Sequence, residues 1–191
     1  MHILPYCIRF TTQFLIFLSF KLYLLIHRIP SQPSLAIKAR TTHIIASNHQ
    51  HALDPFVIVS NISFTDFFRL APFCFITANI FYKPWTIPFL WLAGCFRAKP
   101  GGRSSLYGID GAVTLIRRGY TLVIFPEGRR TKLPLPAKRG LGEIMKQVGK
   151  VEVILARIQW SPEYKPKFIR MKIPDHKPIT SEAVMEAVYT L

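Results

Sequence analysis

Two histidines and a carboxylate lie close together in the segment 48–55, which reads NHQHALDP. His49 and Asp54 are five residues apart, a spacing that would put them on different faces of a regular helix. In a loop that leads into a helix, however, the carboxylate can turn back to one imidazole nitrogen and leave the other nitrogen facing a cleft. A histidine held in this way has a fixed tautomer and a counter-charge for its protonated form. The segment therefore predicts a His–Asp pair that acts as a general base.

Two other interpretations of this segment stay open. Asp54 could serve only as a helix cap, with the histidines as surface loop residues. Alternatively, His49, His51 and Asp54 could bind a metal ion. A binuclear hydrolase signature has a further histidine where this chain has Pro55, and few other candidate ligands follow. We therefore expect no metal site.

A second cluster of functional side chains is the segment 125–130, which reads FPEGRR and follows an apolar run. Proline ends a strand and glycine permits an unusual backbone angle, so we expect Glu127 to be displayed at the edge of a sheet. A carboxylate there could hold a hydroxyl or orient an arginine. Arg129 and Arg130 could bind a phosphate in a bidentate way, or the segment could be a solvated surface turn.

Strands and helices alternate along the chain around these two segments. This order predicts an α/β fold with a mostly parallel central sheet flanked by helices. A helix over 55–62 should follow the first segment, with Asp54 as its N-cap and Pro55 as its first residue. Apolar runs predict strands at 42–47, 73–77, 121–125, 151–158 and 167–173, and amphipathic patterns predict further helices at 104–118, 141–148 and 181–189.

Composition limits the kind of partner. The chain has 191 residues, of which 50% are hydrophobic, and 25 Lys and Arg oppose 10 Asp and Glu, a formal net charge of +15. Such a charge suits nucleic acid or anionic lipid headgroups, and the apolar composition favours lipid. No aromatic and basic recognition motif is present, so we expect no nucleic-acid partner. Three cysteines without a C-x-x-C spacing indicate reduced thiols.

The N-terminal residues are apolar enough to contact a membrane. The stretch between Arg9 and Lys21 holds 11 uncharged residues, whereas a spanning helix needs ~20. We therefore expect residues 1–30 to form a membrane-associated helix region that lies in one leaflet, followed by a single enzyme domain over 31–191. A cleaved signal peptide is disfavoured because no small-residue cleavage site follows. The predicted location is the cell membrane, with the active domain on its cytoplasmic face.

Together the two segments resemble the glycerolipid acyltransferase family, which includes the 1-acylglycerol-3-phosphate O-acyltransferases. That family carries N-H-x-x-x-x-D after one strand and F-P-E-G-T-R after another. Residues 48–54 match the first motif, and residues 125–128 with Arg130 match the second, while Arg129 stands where the family has threonine. The resemblance spans about residues 40–175, and an N-terminal membrane helix is also typical of the family.

The resemblance implies roles for particular residues. His49 would deprotonate the acceptor hydroxyl, Asp54 would orient His49, and Glu127 with Gly128 would belong to the acceptor site.

A further family block supplies an arginine that binds the acceptor's phosphate. When the chain is aligned on Gly94, Pro100 occupies the position of that arginine. The resemblance therefore implies that phosphate is bound by one or more of the nearby basic residues Lys99, Arg97, Arg103 and Arg130.

The implied reaction moves a fatty acyl group from an acyl thioester to the hydroxyl of 1-acylglycerol-3-phosphate, a step of phospholipid biosynthesis. No cofactor is expected; acyl-CoA or acyl carrier protein would be the co-substrate. The other partners would be membrane lipids and the lysophosphatidate-like acceptor. Alternatives are an acyltransferase acting on glycerol-3-phosphate or another lysophospholipid, and a non-catalytic protein that binds anionic lipid.

Four aromatic residues could line an acyl-chain groove, or could pack in the core or face the membrane: Phe81, Trp85, Phe89 and Trp91.

Overall fold

A six-stranded sheet forms the centre of the molecule. The computed structural model describes residues 3–30, 32–35, 37, 41–98, 106–131, 133–161, 166–174 and 180–191. The strands run in the order β3-β2-β4-β1-β5-β6, and every neighbouring pair is parallel except β5 and β6. This confirms the predicted α/β fold with a mostly parallel sheet. The strands are β1 His43–Ser47, β2 Phe73–Thr77, β3 Cys95–Arg97, β4 Thr121–Ile124, β5 Glu152–Trp160 and β6 Pro166–Lys172.

Helices cover both faces of the sheet. Side chains alternate between the faces along each strand, and because both faces are covered, β1 and β4 are buried along their whole length. Ile45 and Val123 face α1 to α3, whereas Ile44 and Leu122 face α5 to α7. The helices are α1 Ile3–Ile26, α2 Asp54–Asn61, α3 Phe64–Leu70, α4 Ile87–Leu92, α5 Leu106–Arg117, α6 Gly140–Val148 and α7 Ser181–Tyr189.

Several short elements, among them α3 and β3, were not expected from the sequence. The helix α3 begins where the Ser63 side chain accepts a hydrogen bond from the backbone N–H of Asp66, a standard N-cap. The strand β3 has only three residues and pairs with β2 at the edge of the sheet. Both elements are too short to show a clear hydrophobic period.

The start of α2 corrects one prediction. Asp54 was expected to be the N-cap, but the helix already includes Asp54, and Leu53 occupies the cap position without a side-chain hydrogen bond. The predicted cap is wrong because the carboxylate of Asp54 bonds to groups in the preceding loop instead of to the helix.

The helix α1 packs one side against the domain and leaves the other side uncovered. Phe17 and Leu24 are buried in the core, whereas Leu15, Leu22 and Leu25 are exposed. By length and composition, Tyr6–Ile26 is the one helix in the described ranges that could cross a membrane. Whether it spans the bilayer or lies in one leaflet stays a prediction.

Polar groups tie α1 to the sheet and to α2. The buried Gln13 side chain donates to the carbonyls of Phe73 and Ala93 and accepts from the N–H of Phe73 at 2.8 Å. The Lys21 ammonium donates to the carbonyl of Ile62, just after α2, at 2.6 Å. The polar residues that interrupt the apolar N-terminal run therefore bind the domain.

Candidate active site

The two motif segments meet at one edge of the sheet. β1 and β4 are neighbouring parallel strands, with Ala46 opposite Ile124, so their carboxyl ends lie side by side. We call residues 48–53 the first loop and residues 125–131 the second loop. The backbone N–H of Thr131 donates to the carbonyl of His49 at 2.7 Å, which joins the loops directly.

His49 and Asp54 form the pair that their spacing predicts. The Nδ1 of His49 lies 2.9 Å from Oδ2 of Asp54. The Asp54 side chain is fully buried, whereas 19% of the His49 side chain is exposed. Because a carboxylate only accepts hydrogen bonds, Nδ1 carries the proton of the neutral ring and Nε2 carries the lone pair. This geometry leaves Nε2 able to accept a proton.

The carboxylate of Asp54 also organises the first loop. Its Oδ2 accepts the backbone N–H of Gln50 at 2.6 Å and of His51 at 2.8 Å. The loop therefore folds around the same oxygen that orients His49. Buried polar groups are costly unless paired, so these bonds both stabilise the loop and fix the position of the carboxylate.

Trp160, which the sequence did not indicate as a site residue, holds the other oxygen of Asp54. Its indole Nε1–H donates to Oδ1 of Asp54 at 2.6 Å. Its backbone N–H donates to the Gln50 side chain at 3.2 Å. Trp160 ends β5, the strand that pairs with β1. It lies 106 residues after Asp54 in the chain, and the order of the strands in the sheet places it at the site.

Asn48 fastens the first loop to the same strand. Its side-chain amide donates to the carbonyl of Ile158 at 2.8 Å and accepts from the N–H of Ile158 at 2.9 Å. These two bonds continue the pairing of β1 with β5 after the backbone of β1 has turned away. The asparagine before His49 is therefore a structural part of the motif.

Phe125 packs on the imidazole of His49. The two rings are stacked, with centroids 4.1 Å apart and an interplanar angle of 20°. The ring of His49 is thus held by Phe125 on one face and by Asp54 at Nδ1. Restricting the imidazole in this way prepares it for proton transfer.

Glu127 does not lie where the sequence predicted. It is only 2% exposed, so the expectation of a carboxylate displayed at the sheet edge is wrong. Its Oε2 accepts the backbone N–H of His49 at 3.0 Å, and its Oε1 accepts the N–H of Leu135 at 3.4 Å and the hydroxyl of Tyr189. The carboxylate turns inward because these donors surround it. Its assignment, with Gly128, to the acceptor site stays a prediction.

Tyr189 was also missed by the sequence reasoning. It lies at the end of α7 and reaches Glu127 from 62 residues away in the chain. Burial, followed by the bond to Glu127 and its charge, raises the pKa of the Tyr189 hydroxyl. The hydroxyl therefore stays protonated and keeps donating to Glu127. No local pattern around residue 189 could have indicated this contact.

Gly128 gives the second loop its turn. Its φ is +68°, and a Cβ at this position would lie 2.6 Å from Nζ of Lys138. The backbone N–H of Lys138 donates to the carbonyl of Pro126 at 2.8 Å, which brings that lysine across the turn. The positive φ therefore favours glycine here, and the flexible side chain of Lys138 would have to move to admit a Cβ.

The two described candidates for phosphate binding, Arg97 and Arg130, lie on different elements. Arg130 is exposed on the second loop. Arg97 ends β3, two strands away from β4, and its guanidinium lies over the ring of Tyr82 at 4.6 Å. Lys99 and Arg103 lie outside the described residues. Of the two described candidates, Arg130 is the one on a loop that contacts His49.

The four candidate groove residues do not pack in the core. Their exposed fractions are 42% for Phe81, 65% for Trp85, 73% for Phe89 and 40% for Trp91. A separate small apolar cleft lies between α1, α2 and β2. Its lining includes Ile16, Phe17, Phe56, Val59 and Phe75.

His51 points away from the His49–Asp54 pair. Its Nδ1 accepts the N–H of Leu53 at 3.3 Å, and its ring packs on Trp160 at 4.5 Å. Within the described ranges, no three His, Cys, Asp or Glu side chains are grouped so that they could hold a metal ion.

Comparison with known proteins agrees with this geometry. The family model described as Acyltransferase matches residues 29–158. Among solved structures, the chain is similar to the 1-acyl-sn-glycerophosphate (LPA) acyltransferase PlsC from Thermotoga maritima, with a TM-score of 0.59 and 18% identity. That match covers 85% of this chain and 68% of the other.

No curated protein sequence matches the chain significantly. The family model, however, covers more than half of the chain and includes both motif loops. Tyr189 and α7 lie beyond the matched residues, although they contribute to the same site. The match confirms the family assignment made from the two motifs: the chain belongs to the acyltransferase family.

Proposed function

We propose that this acyltransferase moves a fatty acyl group from an acyl thioester to the hydroxyl of 1-acylglycerol-3-phosphate. The observation that carries the proposal is the bond of 2.9 Å between His49 Nδ1 and a fully buried Asp54, which leaves Nε2 as the proton acceptor. A base placed in this way contributes ~10²–10⁴ to a rate.

The proposed reaction is a direct transfer. Nε2 of His49 takes the proton of the acceptor hydroxyl as its oxygen attacks the thioester carbonyl. The C–O bond forms, the tetrahedral intermediate collapses and the C–S bond breaks. The proton on His49 then passes to the leaving thiolate. Asp54 stabilises the imidazolium between these steps, and no acyl-enzyme is required.

The oxyanion of the intermediate needs hydrogen-bond donors. One such donor is worth ~3–4 kcal/mol. We assign this role to backbone N–H groups near the loops or to Lys99. The N–H groups of His49, Gln50 and His51 already donate to carboxylates, so the donor must come from elsewhere in the site.

The acceptor's phosphate requires positive charge close to His49. Arg130 supports this role because it is exposed on the second loop, whose Thr131 is bonded to His49. Arginine binds phosphate with two parallel hydrogen bonds. We therefore propose Arg130 as a phosphate ligand, with Lys99, Arg97 and Arg103 as further candidates.

The proposed location follows from the substrates. The lysolipid and its product reside in a leaflet, whereas the thioester donor, acyl-CoA or acyl carrier protein, is water-soluble. The exposed apolar side of α1 suits attachment to the cell membrane, and the net charge of +15 suits its anionic lipids. We place the active domain on the cytoplasmic face.

A direct assay tests the proposed function. Membranes that hold the protein are incubated with lysophosphatidate and labelled acyl-CoA or acyl carrier protein, and the expected product is labelled phosphatidate. Parallel reactions with glycerol-3-phosphate and other lysophospholipids identify the acceptor. Absence of product with every acceptor contradicts the proposal and favours a non-catalytic lipid-binding protein.

A further inference from the structure

The connection between β2 and β3 exposes an unusual amount of apolar surface. We call residues 79–92 the β2–β3 surface. Single exposed apolar side chains are ordinary, but a contiguous group of them marks an interaction site. The exposed fractions are 72% for Ile80, 42% for Phe81, 65% for Trp85, 42% for Ile87, 73% for Phe89 and 40% for Trp91.

The shape of this surface does not depend on burying those side chains. The hydroxyl of Thr86 donates to the carbonyls of Phe81 and Lys83 and accepts the N–H of Lys83 at 2.9 Å. The helix α4 then runs from Ile87 to Leu92. The backbone is thus held by its own hydrogen bonds, and the apolar side chains project outward.

The β2–β3 surface is continuous with the uncovered side of α1. The guanidinium of Arg9 lies 4.3 Å above the ring of Trp91, and Gln13 donates to the carbonyl of Ala93 at 3.1 Å. The helix α1 also exposes Leu15 and Leu22. The two segments therefore form one apolar side of the molecule.

The charges on this side have one sign. Lys83 is the only charged residue within 79–92, and no acidic residue occurs in residues 1–53 or 67–109. The Lys83 ammonium lies 5.2 Å from the ring centroid of Trp85. Tryptophan beside lysine suits the boundary between headgroups and acyl chains, where an apolar ring and a charge are both satisfied.

The opposite side of the sheet differs in charge. Its helices carry all of the exposed acidic residues in the part of the chain that the structure describes, namely Asp110, Glu143, Glu182 and Glu186. Exposed carboxylates in the described residues are therefore confined to the side of α5 to α7, where exposed basic residues such as Arg117 and Lys146 also lie. An anionic bilayer is attracted by the basic residues of the apolar side, where the described residues present no exposed carboxylate to oppose that attraction.

We propose that the β2–β3 surface binds an anionic lipid bilayer, so that the domain contacts the membrane at two places, α1 and residues 79–92. The proposal rests on the membrane location given under the proposed function. It adds that the side of the sheet covered by α1 to α4 lies against the leaflet. A second copy of the chain is the competing occupant of this surface.

Tryptophan fluorescence in the full chain tests the proposal. The chain has three tryptophans, so Trp91→Phe with Trp160→Phe leaves Trp85 as the only reporter. The matched control, Trp85→Phe with Trp91→Phe, leaves only Trp160 at the active site. Both variants are reconstituted into vesicles of phosphatidylcholine and phosphatidylglycerol with brominated acyl chains, and circular dichroism checks their folding.

We expect bromine to quench Trp85 several-fold more strongly than Trp160, and vesicles of phosphatidylcholine alone to lessen the quenching of Trp85. Equal quenching of the two reporters overturns the proposal. Quenching does not depend on acyl transfer, so a chain without activity can still show it. Conversely, active chains with an unquenched Trp85 refute only the second membrane contact.

A measurement of mass separates lipid from a second copy of the chain. Light scattering in detergent is compared for the wild type, for Trp85→Ser with Phe89→Ser, and for Tyr107→Ser. Tyr107 is 56% exposed on α5, on the opposite side of the sheet. A single mass for all three supports the lipid assignment. A wild-type dimer that only the double variant dissociates overturns it.

Discussion

The two loops of the site use their carboxylates in opposite ways. Directly after the first loop, Asp54 at the start of α2 bonds to the imidazole of His49 and leaves Nε2 available. In the second loop, Glu127 bonds to the backbone of the same histidine and is itself buried. In the proposed mechanism His49 of the first loop moves the proton, and the second loop fixes the backbone of His49 while it presents Arg129 and Arg130 to solvent.

The largest expected effect is the loss of the base. His49→Ala should lower kcat by about 10²–10⁴, because no other group replaces Nε2. The fold should persist, since the His49 side chain is partly exposed. Phosphatidate formation measures the rate, and His51→Ala is the control because it removes the other imidazole of the same loop. Equal losses in both variants would contradict the assignment of His49 as the base.

Asp54→Asn should have the next largest effect. The amide cannot accept from every donor that now surrounds Oδ2, so the orientation of His49 is lost and kcat should fall by about 10². Unpaired buried donors should also reduce the free energy of unfolding by about 1–3 kcal/mol. The control is Asp66→Asn, a buried carboxylate that bonds Ser63 and Leu35. It should lose stability without losing kcat in the folded fraction.

Glu127→Ala tests whether the second loop acts through the backbone. It leaves the N–H of His49 and the hydroxyl of Tyr189 without an acceptor, at a cost of about 1–3 kcal/mol each in unfolding free energy. A displaced His49 should lower kcat by up to about 10². Glu127→Gln keeps an acceptor for His49 and should restore most of the activity. If Gln is as inactive as Ala, the charge of Glu127 itself acts on the substrate.

Trp160→Phe should have a smaller effect, confined to the first loop. It removes the donor to Oδ1 of Asp54, a bond to a charged group worth about 1.5–3 kcal/mol. The Tm of thermal unfolding and kcat should both decrease, while the contact of the ring with His51 is kept. Trp85→Phe is the matched control because Trp85 is 65% exposed. A Trp160→Phe variant as stable as this control would remove Trp160 from the site.

The smallest expected effect is that of Tyr189→Phe, which deletes one donor to Glu127 and should cost about 1 kcal/mol in unfolding free energy. Tyr107→Phe, on an exposed ring of α5, is the control.

The effect of Tyr189→Phe should also depend on pH. The pKa of Tyr189 is raised in the folded chain by burial and by Glu127. The unfolded chain therefore loses this proton first, and the contribution of Tyr189 to stability is present below about pH 10 and declines above it. Urea unfolding between pH 8 and about pH 11 should show a less steep decline for Tyr189→Phe than for wild type. Identical slopes would contradict the raised pKa.

Local patterns predicted several elements well. The strands at 73–77 and 121–125 and the helices at 141–148 and 181–189 agree with the structure to within a residue, because their apolar periods extend over a whole element. The short α3 and β3 were missed, since each depends on a cap or on a single neighbouring strand.

The site was predictable only where its contacts are local. His49 and Asp54 are five residues apart, and their contact follows from a loop that leads into a helix. Glu127 was placed at the surface by its flanking proline and glycine, yet it is buried because Tyr189, Leu135 and His49 supply donors.

The sequence by itself determined the kind of chemistry, the alternation of strands and helices, and the positive charge that suits an anionic partner. Only the tertiary structure decided which strands are neighbours, and with them the positions of Trp160 and Tyr189 around the two carboxylates. The physical reason is the distance along the chain over which each kind of interaction acts. Backbone period and loop spacing act over a few residues, whereas hydrogen bonds across a sheet join residues that are 62 to 110 positions apart.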